Sequence, residues 1–331
     1  MPAPRQTILA RFRRGTILGI VAGLLGYLGY AVWVGADQVA AALGRFHWGY
    51  LVVMLVASLG NYGLRFVRWE LYLHTVGVTV SRRLSLQVFL SGLAMTVTPG
   101  KVGEFIKAYL LLKAADVPVE RSAPVVLVER IADLLSLVLL ASFGVASYGG
   151  ERGVPILAAT AAAIALGLAV VHSERLTAIA VKILGRLPLV SRFAPRVAEA
   201  TAASRQLLGL RPLLAGLVLG SLAWGCECAG YWLAFRGFEV DFSPGVGLFA
   251  YAFSTVIGVV SPGGLGPTDL GLIQLALRFT PGLTEDVATA ASFLVRLCTL
   301  WFAVLLGARA LLGFRRFVEV DVTEARSETV S

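Results

Sequence analysis

Long apolar runs alternate with short polar segments along most of the chain. The runs lie near 15–35, 48–67, 84–112, 122–147, 154–172, 211–235, 245–280 and 287–313. Six of them hold 19 to 27 residues, and a helix needs about 20 residues to cross the hydrocarbon core of a bilayer. The pattern predicts an all-α polytopic membrane protein.

Two of these runs, 84–112 and 245–280, are interrupted at their midpoints by proline and glycine. The interruptions read "TPGKVGEF" and "SPGGLGPTD". Non-helical backbone is tolerated at membrane depth only where protein or a wet cavity satisfies its polar groups. We therefore predict two helical hairpins whose broken tips meet at a cavity.

Basic residues cluster in some loops and are sparse in others. They precede the first run, follow the second, fill the segment 173–211 and close the last run near Arg309, Arg315 and Arg316. Cytoplasmic loops are enriched in Lys and Arg. All these clusters lie on one side only if each broken run enters and leaves by the same face. This predicts six spanning helices, two re-entrant hairpins and cytoplasmic termini in a cytoplasmic membrane.

The composition supports a membrane protein and argues against a nucleic-acid-binding protein. Hydrophobic residues make up 57% of the chain and charged residues 15%, whereas about 25% of a soluble domain is charged. The net charge of +9 could indicate nucleic-acid binding in a soluble protein. Here the basic residues lie between apolar runs, so they indicate topology and contact with anionic head groups, and we expect no nucleic-acid partner.

The two halves of the chain share a short internal repeat. "PGKVGE" (99–104) aligns with "PGGLGP" (262–267), and each is followed by a run that carries one arginine, Arg130 or Arg296. We place repeat one at about 48–147 and repeat two at about 211–313, within a membrane domain 1–316. An amphipathic cytoplasmic linker, 173–211, and a polar tail, 317–331, complete the chain. Opposed hairpins make the repeat inverted, which places a site at the bilayer midplane.

Each broken hairpin puts an acid near the start of its outgoing half-helix. Gly103 and Glu104 occupy this place in the first hairpin, and Gly266 and Asp269 in the second. Helix N-termini carry partial positive charge and bind anions. Each carboxylate either caps its own helix or takes part in a substrate or proton relay.

The run 122–147 contains Glu129, Arg130 and Asp133, which are costly at the bilayer centre. Arg130 and Asp133, three residues apart, are neighbours on a helix and should pair. The cluster is either a buried structural network or a cation site for an anionic head group, with Arg296 converging on it. Glu227 is an isolated acid that we expect to pair with a cation such as Arg296.

Arg65 and Arg68 follow the second run on one helical face. They either snorkel to the inner interface or receive a lipid phosphate. The candidate binding residues are Lys101, Gly103, Glu104, Glu129, Arg130, Asp133, Gly266, Asp269, Arg296, Arg65 and Arg68.

Recognisable enzyme motifs are missing. The chain contains no HExxH, no P-loop, no DxD and no GxSxG elbow. We therefore predict no catalytic residue, no metal and no cofactor. An intramembrane accessory or enzyme acting on lipid-linked substrates remains an alternative, as does a scaffold for a partner enzyme.

The combined motifs "NYGLRFVRW", "TPGKVGEFIKAYLL", "VVLVERIADLLSL" and "SPGGLGPTDLGL" resemble the lysylphosphatidylglycerol synthase transmembrane family, also called flippase-like integral membrane proteins. The resemblance implies a lipid-translocating domain whose partner is an anionic phospholipid or a polyprenyl-phosphate lipid, with a homo-oligomer or a partner enzyme possible. In that family arginine more often stands at Lys101 and Lys107, and glutamate at Asp269. The chain has no room for a soluble aminoacyl-transferase domain, so we expect no synthase activity.

Overall fold

The computed structural model describes residues 36–148 and 194–314, together with a few isolated positions outside these ranges. The predicted spans 15–35 and 154–172, most of the linker and the tail therefore lie outside the described residues. Within the described ranges the regular structure is entirely helical, with no strand. The all-α prediction is confirmed.

The helices are numbered here in chain order. They are α1 (Ala36–Gly44), α2 (Gly49–Thr75), α3 (Arg82–Leu93), α4 (Ile106–Ala115), α5 (Val119–Tyr148), α6 (Ala194–Leu207), α7 (Leu210–Gly237), α8 (Pro244–Gly258), α9 (Pro267–Phe279) and α10 (Glu285–Phe314). Helix α10 contains a π-helical turn at Leu297–Trp301.

Three of the described helices, α2, α7 and α10, are long and apolar enough to cross a bilayer. Helix α7 shows how such a helix faces lipid. Leu210, Leu214, Val218 and Leu222 recur every four residues along one side, and each is about half exposed or more. A continuous apolar stripe of this kind is typical of a surface that lipid, not water, covers.

Both interrupted runs form two helices separated by a short irregular break. In the first, α3 and α4 flank the segment Pro99–Phe105, where Gly100 has φ 60° and Lys101 has φ 54°. In the second, α8 and α9 flank a break that begins with Pro262–Gly264, and Gly263 has φ 60°. Glycine adopts these left-handed angles at little cost, which explains why both runs turn where the sequence places Pro-Gly.

The two breaks touch each other, as the sequence predicted. The Gly100 amide donates a hydrogen bond to the Val259 carbonyl, with an N···O distance of 2.9 Å. A Cβ atom on Gly263 would lie 3.4 Å from the Val97 Cα atom. The irregular backbone of each hairpin is therefore satisfied partly by the other hairpin.

The order of a long helix, a broken hairpin and a second long helix occurs twice, in 49–148 and in 210–314. Each closing helix packs against the hairpin of the other half at a glycine. A Cβ atom on Gly144 of α5 would lie 2.5 Å from the Phe249 nitrogen, and one on Gly307 of α10 would lie 2.1 Å from the Ala94 nitrogen. The two halves are interlocked around the touching breaks.

Candidate functional site

A cavity lies where the two hairpin breaks meet helices α2, α7, α8 and α10. Its empty space, including the open mouth, is about 610 Å³. The lining residues are Tyr62, Arg65, Thr96, Thr98, Lys101, Trp224, Glu227, Tyr251, Thr255, Gly258, Val259, Ser261, Gly263, Gly264, Thr268, Arg296, Thr299, Leu300 and Ala303. Both breaks contribute to the wall, as the hairpin prediction required.

The polar groups of the cavity come from short stripes on otherwise apolar helices. Arg65 follows Tyr62 by three residues on α2, and Glu227 follows Trp224 by three residues on α7. Residues at this spacing share a helical face. The Tyr62 hydroxyl donates to the Thr299 carbonyl at 2.7 Å, which connects α2 to α10 within the cavity wall.

The charges in the lining are predominantly positive. Among the described lining residues, three are cations, Arg65, Lys101 and Arg296, and one is an acid, Glu227. Because charges inside a membrane protein are costly and mark substrate or ion pathways, an excess of cations here favours an anionic ligand.

Lys101 is the cation least committed to a partner. Its side chain is half-buried and lies over the Trp224 ring, with 4.8 Å between the Nζ atom and the ring centroid. Among the described residues it forms no ion pair. Its left-handed φ of 54° is unusual for a non-glycine residue, so the break holds this ammonium group in the cavity at a conformational cost.

Arg296 is held from two directions. Its Nε atom lies 2.9 Å from Asp269 Oδ1, and its Nη2 atom donates to the Gly263 carbonyl. Asp269 also accepts a hydrogen bond from the Gly266 amide at 3.0 Å. Asp269 therefore caps its own helix, which confirms one of its two predicted roles, and it fixes Arg296 beside the second break.

Beside the cavity lies a buried ion-pair network centred on Glu104. Arg130 Nη1 lies 3.1 Å from its carboxylate, while Arg65 Nη2 and Lys107 Nζ each lie 3.6 Å from it. The Glu104 side chain is only 2% exposed. Instead of capping a helix through backbone amides, this carboxylate joins α2, α4 and α5 through cations.

The network continues through two further acids of α5. Lys107 lies 2.5 Å from Glu129, with the same ammonium 4.4 Å from the Trp69 ring centroid. Asp133 binds Arg68 at 2.6 Å and Arg130 at 3.0 Å. The predicted pairing of Arg130 with Asp133 is confirmed.

One positive charge remains in excess in this network. Four cations, Arg65, Arg68, Lys107 and Arg130, face the three acids Glu104, Glu129 and Asp133. Arg65 has the most distant ion-pair contact of the three arginines, and its Nε and Nη2 atoms, like atoms of Arg68 and Arg130, are buried without a hydrogen-bond partner. Arg65 also lines the cavity, so the network arginine with the longest ion-pair contact is the one that a ligand in the cavity can reach.

The predicted candidates fall into three groups. Lys101, Arg65 and Arg296 line the cavity. Gly103 and Gly266 shape the breaks, and the Gly103 amide donates to Thr98 Oγ1 at 2.8 Å. The remaining candidates do not line the cavity but belong to the ion pairs beside it: Arg68, Glu104, Glu129, Arg130, Asp133 and Asp269.

Two expectations about these residues are corrected by the structure. Arg65 and Arg68 do not snorkel, because their residues are only 3% and 0% exposed and their charges are engaged inside the bundle. Glu227 does not rely on Arg296. Its carboxylate accepts a hydrogen bond from the Tyr251 hydroxyl at 2.7 Å, whereas Arg296 contacts Asp269.

Sequence reasoning missed several residues that shape the site. Tyr62, Trp224, Tyr251 and Thr299 line the cavity, and Lys107 is a central cation of the network. A signal was available, because polar or aromatic residues recur every three or four positions on α2, α7, α8 and α10. In the part of the chain that the structure describes, no group of three His, Cys, Asp or Glu side chains could hold a metal ion.

A helical fold with lipid-facing helices and a polar cavity at two broken hairpins defines an integral membrane protein. Residues 17–307 match the family described as the lysylphosphatidylglycerol synthase TM region. Since this match covers most of the 331 residues, the chain belongs to that family. The resemblance seen in the sequence motifs is thereby confirmed.

Two known proteins are similar to the chain. A UPF0104 membrane protein of Methanothermobacter thermautotrophicus is 26% identical over 324 residues, covering 90% of this chain and 95% of the relative. Glycosyltransferase AglD of Haloferax volcanii is 23% identical over 323 residues, covering 85% of this chain. The aligned part is 52% of AglD, so this chain spans about half the length of that protein.

Proposed function

We propose that the protein translocates an anionic lipid, a phospholipid or a polyprenyl-phosphate lipid, by passing its head group through the cavity between the hairpin breaks. One observation carries the proposal. Arg65, Lys101 and Arg296 line this cavity together with a single acid, and Lys101 has no ion-pair partner among the described residues. Guanidinium and ammonium groups are the side chains that bind phosphate most strongly.

The proposed path requires the breaks to lie near the bilayer midplane. In this proposal 84–112 and 245–280 are re-entrant hairpins that enter from opposite sides of the cytoplasmic membrane, six helices span it, and both termini are cytoplasmic. The repeated order of helix, hairpin and helix supports an inverted repeat. Transporters built in this way place discontinuous helices and their substrate site at the repeat interface.

The ion-pair network has a supporting role in this mechanism. Glu104, Glu129, Arg68, Lys107, Arg130 and Asp133 hold α2, α4 and α5 together beside the cavity. Because these charges are largely compensated, they add little attraction for a head group. Arg65 links the network to the cavity, where its guanidinium group would form an ion pair with a bound phosphate.

A second candidate is an accessory role beside an enzyme that acts on lipid-linked substrates. The similarity to half of a protein named glycosyltransferase favours it. In that case the cavity would hold a lipid-linked head group for a partner enzyme, in a homo-oligomer or a mixed complex, without moving it across the membrane.

The proposal is tested with purified protein in liposomes that contain a fluorescent phosphatidylglycerol or a fluorescent phosphatidylcholine. A membrane-impermeant reductant quenches dye in the outer leaflet, so the rate of further quenching reports movement. We expect the wild type to move the anionic lipid faster. Lys101→Gln and Arg296→Gln should lose most of this rate, and Lys113→Gln, on the same hairpin but outside the cavity, should retain it.

Equal rates for both lipids, or full activity of folded Lys101→Gln and Arg296→Gln, would contradict a cationic path. If no phospholipid moves, a fluorescent polyprenyl phosphate is the next substrate. Failure with that lipid overturns translocation and leaves the accessory role, which mass spectrometry of lipids incubated with candidate partner enzymes can examine.

A further inference from the structure

Among the described residues that line the cavity, Glu227 is the one acid, and the other charged groups are cations. Its residue is 7% exposed, and its carboxylate accepts a hydrogen bond from the Tyr251 hydroxyl at 2.7 Å. Among the described residues no cation lies within ion-pair distance of it. The other buried acids of the site, by contrast, each contact at least one Arg or Lys.

The groups that face Glu227 come from every element around the cavity. Helix α2 contributes Arg65 and Tyr62, the first break contributes Lys101, α8 contributes Tyr251, and α10 contributes Arg296. On α7 itself the neighbours in sequence are Cys226 and Cys228. The acids of α5 are directed to Arg68, Lys107 and Arg130 instead.

A phosphate held by these cations would share the cavity with the Glu227 carboxylate. Two negative groups that share one site disfavour each other, and the carboxylate can relieve this by taking up a proton. The Tyr251 hydroxyl can remain as a partner, because a protonated carboxyl group still accepts a hydrogen bond. The surrounding cations cannot neutralise the Glu227 carboxylate instead, because they are needed to bind the phosphate.

We propose that Glu227 is a proton-binding site coupled to the anion site, so that the cavity takes up an anionic head group together with a proton. The inference rests on the proposed function for the anion site, and it adds a coupled ion to it. Release of the head group would then release the proton, which allows a proton gradient to bias the direction of lipid movement. No proton chemistry beyond transfer to and from one carboxylate oxygen is required.

Coupling of this kind has a definite sign. If the bound state favours protonated Glu227, the affinity for the anion is highest at low pH. It decreases as the pH rises, by at most about tenfold per pH unit for a single proton. A Glu227→Gln variant is permanently neutral, so it should bind the anion more tightly than the wild type at neutral pH and lose most of the pH dependence. A merely structural role for Glu227 predicts weaker binding.

The test uses the full chain in detergent and short-chain phosphatidylglycerol as the probe, because its phosphodiester does not titrate near neutral pH. Titration calorimetry in two buffers of different ionisation enthalpy gives the number of protons taken up per bound lipid. We expect close to one for the wild type, close to zero for Glu227→Gln, and a retained value for Glu227→Asp. Glu239→Gln makes the same change at an exposed acid that does not line the cavity, so it is the matched control and should keep the coupling.

Each outcome is decisive. Equal proton uptake by the wild type and folded Glu227→Gln would assign the proton elsewhere and overturn the inference, as would pH-independent binding by the wild type. Absence of binding by both proteins removes the anion site and overturns it as well. Proton-coupled binding without transport in liposomes would instead leave this inference standing and contradict the translocation proposal, whereas transport without coupling would do the reverse.

Discussion

The two hairpin breaks use the same backbone device but manage charge in different ways. Gly100 and Gly263 have the same φ of 60° at corresponding positions. In the first break Lys101 also has a positive φ, and Glu104 lies in a network of four cations and three acids. In the second break glycine occupies the position after Gly263, and Asp269 pairs with Arg296.

This difference suggests that the two breaks have different roles in the site. In the second break the charges of Asp269 and Arg296 compensate each other, because Asp269 both caps α9 and contacts Arg296. Around the first break positive charge stays available to a ligand. It lies on Lys101 of the break itself and on Arg65 of α2, whose contact with Glu104 is 3.6 Å long. If the cavity binds an anion, the first hairpin should control affinity and the second should control the geometry of the site.

The largest expected effect is that of Glu104→Gln. Without the Glu104 carboxylate, the cations of Arg65, Arg130 and Lys107 face one another in the protein interior. Removing one partner of a buried ion pair costs about 3–5 kcal/mol. We expect the free energy of unfolding, measured by Trp fluorescence in mixed micelles with SDS, to decrease by this amount.

The double variant Glu104→Gln with Arg130→Gln provides the control. Because it removes one charge of each sign, it should recover part of the lost stability, and the cycle measures the coupling between the two side chains. Additive effects would show that Glu104 does not organise the network.

The fold was more predictable than the site, and the reason is physical. Apolar runs and Pro-Gly breaks are local signals, so the helices, the two breaks and the pairing of Arg130 with Asp133 could be predicted from the sequence. The division of cations was not predictable, because whether Arg130 or Arg65 lines the cavity depends on how α2, α5 and α7 pack. Glu227 was noticed as an isolated acid, but its Tyr251 partner lies on a different helix, 24 residues along the chain.

The next largest loss of stability is expected at the second break. Asp269→Asn removes the ionic contact with Arg296 but keeps an oxygen that can accept from the Gly266 amide. Hydrogen bonds to charged groups contribute about 1.5–3 kcal/mol, so the loss of stability should be smaller than for Glu104→Gln. Arg296 keeps its charge and its hydrogen bond to the Gly263 carbonyl, so the affinity for phosphatidylglycerol, measured by calorimetry, should change less than in Lys101→Gln. If Asp269→Asn lost more stability than Glu104→Gln, the proposed difference between the two breaks would be wrong.

The packing of each closing helix against the opposite hairpin is tested at Gly144 and Gly307, the glycines where they touch. Gly144→Ala and Gly307→Ala each place a Cβ atom within 2.5 Å of backbone in the opposite hairpin. Overpacking of this kind costs about 1–3 kcal/mol, so both variants should unfold at lower SDS fractions. Gly225→Ala is the matched control, because nothing lies within 4 Å of its added Cβ atom. If all three variants behave alike, helix propensity and not the interlocking accounts for the result.

The smallest effect is the most informative, because stability and binding should change in opposite directions. Lys101 has a φ of 54°, a region that costs an L-residue about 1–2 kcal/mol and glycine very little. Lys101→Gly should therefore raise stability by up to about 1 kcal/mol, while it weakens phosphatidylglycerol binding by removing an ammonium group from the cavity. Lys101→Ala separates the two contributions, since it removes the charge but retains the strained backbone. If both variants bind like the wild type, the first break does not supply the anion-binding charge, and the contrast between the hairpins concerns folding alone.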